Sequence, residues 1–234
     1  MLEISKRIRL SISQFEVTMS LKASLQNFKY QQASSLPTEV LEVLSRNTSL
    51  LQDQKMAQKA RQAGEPFPHF ELADSDAHIY SLESFLSKGP LIVSFYRGGW
   101  CPYCVLELKA LREIIERLPE LNATLVAISP ETTENVANTK NHNELNFVVL
   151  SDHDNQLARA CGLVFKLPED LLAQYRNFGI HIDSHNGNDK FEIPIPATYI
   201  IDSRQVIQYA FIEEDYTSRA EPEAILEILN SMGR

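Results

Sequence analysis

Basic residues are in the minority in this chain of 234 residues: Lys and Arg number 22 against 31 Asp and Glu, a net charge of −9. A nucleic-acid binder needs an electropositive face, so the balance excludes that class. Long apolar runs are missing as well. No stretch approaches the roughly 18 apolar residues of a membrane-spanning helix. Lys6, Arg7 and Arg9 start the chain like a leader, but Leu10 to Leu21 is broken by Ser11, Ser13, Gln14, Glu16 and Thr18. That is not a signal-peptide core. Cysteine is scarce, with three in all, which excludes a secreted disulfide scaffold. A chain of this length buries a core without staples or a structural metal. A cytoplasmic protein with reduced thiols is the expectation. What is present is concentrated: the single tryptophan, Trp100, stands beside Cys101, with Cys104 in the same short segment.

Glycine is absent from residues 19–62. Leu21, Leu25 and Phe28 keep a helical spacing there, and Thr38 is placed to cap a second helix carrying Val40, Leu41, Val43 and Leu44. Leu50 to Ala63 reads as a further helical stretch, ended by Gly64. Residues 1–18 read as a disordered extension and 19–62 as a helical arm. The arm either packs on the main domain or serves a homodimer or another partner. Residues 63–234 form that domain.

Within it, Phe67 to Leu72 and His78 to Leu82 look like a hairpin around an acidic turn. Leu91 to Tyr96 is an apolar run of strand length, as in a buried parallel strand. A helix over 102–118 follows, with Glu113 and Arg117 as an i,i+4 pair. Strands are expected at 124–128, 147–150, 197–201 and 206–212, and helices at about 131–144, 155–161 and 222–232. Pro168 to Tyr175 reads as a helical turn and His181 to Asp189 as a polar loop. Alternating strands and helices mean an α/β fold, a mixed sheet flanked by helices. The last two strands are joined by a turn too short for a crossover and so pair antiparallel.

Cys101-Pro102-Tyr103-Cys104 lies where a buried strand gives way to a helix. Unpaired N–H groups and the macrodipole at a helix start favour an anion, so Cys101 is expected to be the low-pKa, attacking thiolate. Cys104, three residues on and on the same face, is placed to close a small disulfide ring and to be the less exposed of the two. A zinc half-site needs a second ligand pair. Only Cys161 with a histidine, or His181 with His185, is on offer, so no metal is expected. Cys161 itself reads as a buried spectator or a secondary resolving thiol. Pro196 directly precedes the strand Ala197 to Ile201. A cis bond there would bring backbone beside the cysteine loop; a trans proline ending the preceding loop is the other reading. Trp100 is expected to pack over the helix start, and Tyr103 to meet a substrate or reductant.

Strand, Trp-Cys-x-x-Cys, helix, and later a proline before an antiparallel pair: this order resembles the thioredoxin fold. More narrowly, Phe95-Tyr-Arg-Gly-Gly-Trp-Cys-Pro-Tyr-Cys104 is similar to peroxiredoxin-like members of the alkyl hydroperoxide reductase/thiol-specific antioxidant (AhpC/TSA) family. Gly64-Glu-Pro-Phe-Pro-His-Phe-Glu-Leu72, Leu150-Ser-Asp152, Leu157-Ala-Arg-Ala-Cys-Gly-Leu163 and Ala197-Thr-Tyr-Ile-Ile-Asp202 continue the likeness over roughly residues 62–232. The resemblance implies a peroxiredoxin-type domain without a cofactor, acting as an antioxidant peroxidase on hydrogen peroxide or organic hydroperoxides. It makes Cys101 the peroxidatic position, resolved by Cys104 and recycled by thioredoxin or glutathione. The chain departs from the family pattern at three places. The family's Thr or Ser before the cysteine is Gly98, its Pro is Ser94, and its late Arg is Pro196. Arg97 is the cation available to replace them. Those departures, and a Pro-Tyr dipeptide shared with glutaredoxins, make thiol–disulfide exchange the alternative activity. Glutaredoxin pairs sit at roughly −200 to −230 mV. A redox sensor working through the arm is the third reading.

Overall fold

The computed structural model describes residues 20–233; the extension expected at 1–18 lies outside them. The described residues start with helices α1 (Leu21–Ser35), α2 (Thr38–Asp53) and α3 (Met56–Lys59). Ser20 caps α1 by accepting from the Ala23 amide. Thr38 is already helical and Pro37 holds the cap position, so α2 runs unbroken to Asp53 and absorbs Leu50. A short hairpin follows, β1 (Glu71–Ala73) with β2 (Ile79–Ser81), then α4 (Leu82–Leu86). The turn between the strands is built by Asp74, whose carboxylate accepts from the amides of Asp76 at 2.8 Å and His78 at 3.0 Å. Leu82 starts α4 because Ser81 and Ser84 cap each other's backbone N–H.

The centre of the sheet is β3 (Leu91–Phe95), every residue of which is buried. It pairs parallel with β4 (Thr124–Ser129), which pairs parallel with β5 (Val148–Ser151). On its other side lies β8 (Ala197–Ile201), antiparallel to both β3 and β9 (Ile207–Ile212). The full order is β2-β1-β5-β4-β3-β8-β9. Side chains alternate between its two faces, and so do the cores. Ile92, Leu125, Ala127 and Ile200 face a cluster with α5 (Pro102–Arg112) and α10 (Pro222–Met232). Leu91, Val93, Phe95 and Tyr199 face one with Phe67, Leu82 and Cys161.

Several elements depart from the sequence pattern for local reasons. Helix α5 stops at Arg112, not 118, and continues as two 3₁₀ turns, Ile115–Arg117 and Pro119–Leu121. An α-helix carried on would drive the Pro119 ring into the carbonyl of Ile115. The expected Glu113–Arg117 pair is lost with it. Glu113 binds Arg112 at 2.9 Å and Arg117 reaches Glu223 at 2.7 Å. After α6 (Thr133–His142), β5 and α7 (Gln156–Ala160), the irregular stretch resolves into β6 (Val164–Lys166), α8 (Glu169–Asn177), α9 (Ile182–Asn186) and β7 (Glu192–Pro194). The polar segment after His181 is therefore α9, a short helix ended by Gly187 at φ 66°. Strands β6 and β7 pair antiparallel in a separate two-stranded sheet. No cis peptide bond occurs among the described residues, so Pro196 is trans. It follows β7 and hands the chain from one sheet to the other, with Ile195 still donating to the Leu163 carbonyl.

Candidate active site

The cysteine loop is shaped by two glycines. Gly98 has φ 148°, and a Cβ there would lie 2.2 Å from Trp100 Nε1. A Cβ on Gly99 would lie 2.0 Å from Thr139 Oγ1. The backbone can thus press against Trp100 and α6, where the Gly99 amide donates to the buried Glu131 carboxylate at 3.0 Å. Cys101 then takes the N-cap of α5 with Pro102 at its first turn, where a missing N–H costs nothing. Its sulfur accepts from the Cys104 amide at 3.4 Å.

Cys101 is as buried as Cys104; both are 0% exposed. That corrects the expectation that the attacking cysteine would be the accessible one. Arg97 covers the sulfur from the main domain, and the arm closes over the loop around it. Phe28 of α1 meets Tyr103 edge-on with ring centres 5.0 Å apart, and the Tyr103 hydroxyl donates to Gln32 at 2.9 Å. Helix α2 covers the other flank: Leu44, Asn47, Thr48 and Leu51 line a small cavity together with Arg97, Tyr175, Pro196 and Tyr216. The arm therefore packs on the main domain at its cysteine loop.

Each sulfur has its own guanidinium. Arg97 is 5% exposed and places Nη2 3.0 Å from Cys101 Sγ. It is no solvated surface arginine. Its Nη1 donates to the Tyr175 hydroxyl at 3.0 Å, and its Cζ lies 4.1 Å from the Tyr216 ring centre and 5.2 Å from that of Trp100. Arg219, which follows the last strand, places Nη2 3.3 Å from Cys104 Sγ. Its Nε pairs with Glu107 at 2.6 Å, and its Nη1 donates to the carbonyls of Tyr216 and Ser218. Thr198 donates to the other Glu107 oxygen at 3.3 Å.

The electrostatic result divides the two thiols. Burial alone would push Cys101 up, but the hydrogen bond from Cys104 and the charges of Arg97 and Arg219 outweigh it, and its pKa falls well below the ordinary thiol value. Burial and the neighbouring Cys101 charge push Cys104 well above it. The site thus favours a thiolate at Cys101 beside a protonated Cys104. Cys161 is buried on the opposite face of the sheet, where burial raises its pKa as well. It has no contact with the pair's core and is not placed to resolve it.

Sequence reasoning missed Glu107, Tyr175 and Tyr216, and offered Arg219 only as a residue after the last strand that could approach the site. Only Glu107 left a signal. It shares the apolar face of α5 with Cys104, Leu108 and Leu111, where a carboxylate needs a partner. Tyr175, Tyr216 and Arg219 arrive from distant segments and carry no local motif.

The chain matches the model of the AhpC/TSA family over residues 63–210, more than half its length. It is 28% identical over 144 residues to a chloroplastic peroxiredoxin Q of Sedum lineare, covering 62% of this chain and 65% of that one. It is 33% identical over 100 residues to a putative peroxiredoxin bcp of Haemophilus influenzae, covering 43% and 64%. The matches thus span just under two thirds of these relatives. Among solved structures, peroxidoxin BcpB from Mycobacterium tuberculosis superposes with a TM-score of 0.58 at 20% identity, covering 73% of this chain and 97% of that one. A cysteine-to-serine mutant of PrxQ from Xylella fastidiosa gives a TM-score of 0.55 at 16% identity, covering 73% and 94%. These two share the fold. With a family match that takes in the opening hairpin, β3, the cysteine loop and the late antiparallel pair, the chain belongs to the AhpC/TSA family.

Proposed function

We propose that this chain is a thiol-dependent peroxidase using Cys101 and Cys104. The Cys101 thiolate attacks the terminal oxygen of hydrogen peroxide or an organic hydroperoxide. The S–O bond forms as the O–O bond breaks, and the departing oxygen takes a proton from solvent. Cys101 is left as a sulfenic acid. Cys104 then attacks that sulfur; the S–S bond forms, the S–O bond breaks, and hydroxide leaves as water with the Cys104 proton. Two external thiols, from a dithiol protein of thioredoxin type or from glutathione, reduce the disulfide.

The observation that carries this reading is the buried Arg97 at 3.0 Å from the Cys101 sulfur. It keeps the nucleophile ionised and supplies a positive charge where the departing oxygen becomes negative. Because the family's Thr is Gly98 and its late Arg is Pro196, that charge must come from elsewhere, and Arg97 is the group in place. Trp100, whose ring faces Arg97, is expected to report the change in sulfur oxidation state by fluorescence. Rapid mixing of reduced protein with hydrogen peroxide is expected to give a fluorescence change much faster than oxidation of free cysteine. Cys101→Ser abolishes it, and Cys104→Ser leaves a trapped sulfenic acid. Oxidation no faster than a free thiol, with turnover of a glutathione mixed disulfide, would replace this reading by thiol–disulfide exchange.

A further inference from the structure

Arg219 is held in one orientation by contacts on every side of its guanidinium. Nε donates to Glu107 at 2.6 Å, Nη1 to the carbonyls of Tyr216 and Ser218, and Nη2 to Cys104 Sγ at 3.3 Å. Both side chains of the ion pair are almost wholly buried. Glu107 stands one helical turn after Cys104 on α5, so the two share a face. Its other oxygen is fixed by the Thr198 hydroxyl of β8 at 3.3 Å. Helix α5, β8 and the segment after β9 thus converge to aim one N–H at a sulfur.

A buried ion pair is weak evidence of stabilisation, because well-packed apolar residues of the same volume often do as well or better. Its place at the second sulfur points to the chemistry instead. In the reduced protein the charge has little to act on. Burial and the Cys101 charge keep Cys104 protonated, and a neutral thiol gains little from a guanidinium. The balance changes once Cys101 is oxidised. A sulfenic acid is uncharged, so the repulsion that held the proton on Cys104 is gone, while Arg219 is still in contact with its sulfur. Arg97 donates to the Cys101 sulfur instead.

We propose that Arg219 is a catalytic residue of the resolving step, holding the negative charge that develops on Cys104 as it attacks Cys101, and that Glu107 is the positioning residue that aims it. The proposal rests on the peroxidase reading above for the species attacked. The Cys104 proton moves to the departing hydroxide, the freed sulfur pair forms the S–S bond, the S–O bond breaks and water leaves. Arg219 keeps its own protons throughout, and its charge stabilises the sulfur along that path. Glu107 acts through Arg219, and its negative charge tempers the arginine's field as well as directing it.

The test begins with Cys101→Ser, in which a neutral oxygen stands in for the uncharged, oxidised sulfur. The Cβ shift of isotope-labelled Cys104 against pH reads its thiolate fraction. Cys161 does not interfere, since burial holds its proton. Adding Arg219→Met should cut the Cys104 thiolate fraction at a given pH about tenfold. Adding Glu107→Gln instead should raise it about threefold, because the arginine's charge is then unopposed. With Cys101 present, slow resolution leaves the sulfenic acid open to a second peroxide. Mass spectrometry should therefore find more Cys101 sulfinic acid in Arg219→Met than in the wild type, and less in Glu107→Gln. An ion pair that only supports the fold would move both variants the same way, and that result overturns the proposal. A thiolate fraction that Arg219→Met changes by less than about twofold overturns it as well. If Arg219→Met does not fold, Glu107→Gln decides, and a thiolate fraction unchanged or lowered overturns it. A wild type that reacts with peroxide no faster than free cysteine removes the peroxidase reading, a distinct result that leaves the Cys104 titration to judge Arg219.

Discussion

Glu107 and Arg219 form an ion pair at 2.6 Å whose side chains are 1% and 2% exposed. Burial raises the Glu107 pKa to about 7 even with the arginine beside it. The ordinary value is 4.5, so between about pH 4.5 and 7 the folded protein holds more protons than the unfolded chain. Stability therefore falls as pH rises through that window. Urea unfolding of the wild type at about pH 5 and pH 8 should show this loss, and Glu107→Gln should flatten it. Glu107→Ala leaves Arg219 buried without its counter-charge and should cost about 3–5 kcal/mol.

Arg97 governs the ionisation of Cys101 more directly. Replacement by methionine keeps the length and removes the charge. The Cys101 pKa should rise by at least about one unit, the equivalent of ~1.4 kcal/mol. Ultraviolet thiolate absorbance against pH measures it. Because the wild-type pKa is depressed, its thiolate stabilisation is present above the ordinary thiol range and is lost as pH falls through the depressed value. Arg97→Met should thus lose more peroxide reactivity at about pH 6 than at about pH 9. A Cys101 titration unchanged by the substitution would remove Arg97 from the site.

Restoring the family's hydroxyl by Gly98→Thr should fail. Gly98 has φ 148°, and a Cβ would meet the Trp100 indole at 2.2 Å. The expected outcome is a loss of about 1–3 kcal/mol from backbone strain. Peroxide oxidation should be slower as well, because the loop that sets Cys101 is displaced. A faster Gly98→Thr enzyme would show that the loop tolerates the family's arrangement after all.

The arm's hold on the site is tested at Phe28, which is 9% exposed and packs on Tyr103. Phe28→Ala should cost about 3–5 kcal/mol of packing, felt first in α1. Hydrogen exchange in residues 21–53 should speed up. Alkylation of Cys101 by iodoacetamide should accelerate by about tenfold or more, since each ~1.4 kcal/mol shifts an opening equilibrium tenfold. Unchanged alkylation would mean that reagents reach the sulfur by another path.

How much of this was legible in the sequence depends on the range of the signal. The fold class, the buried central strand, the cysteine pair at a helix start and the closing helix α10 all rest on short-range patterns, and they stand. The Glu113–Arg117 pair did not survive, because Pro119 acts four residues back on a helix that composition favours. Strands β6 and β7 were unreadable, since two helices separate them and no turn marks them as a hairpin. Cys101 was expected to be exposed because a helix start usually is; Arg97 and side chains from distant segments, the arm among them, bury it. Arg219 lies 115 residues from Cys104 in sequence, and nothing local to either predicts their contact.

The covered sulfur has a kinetic consequence. A protein reductant of the kind proposed above presents a surface far larger than anything the buried Cys101 leaves open. Reduction by such a partner would require α1 and α2 to lift first. Turnover should saturate with reductant concentration at a ceiling set by that lifting, so two helices outside the family-matching segment would fix the top speed of the cycle.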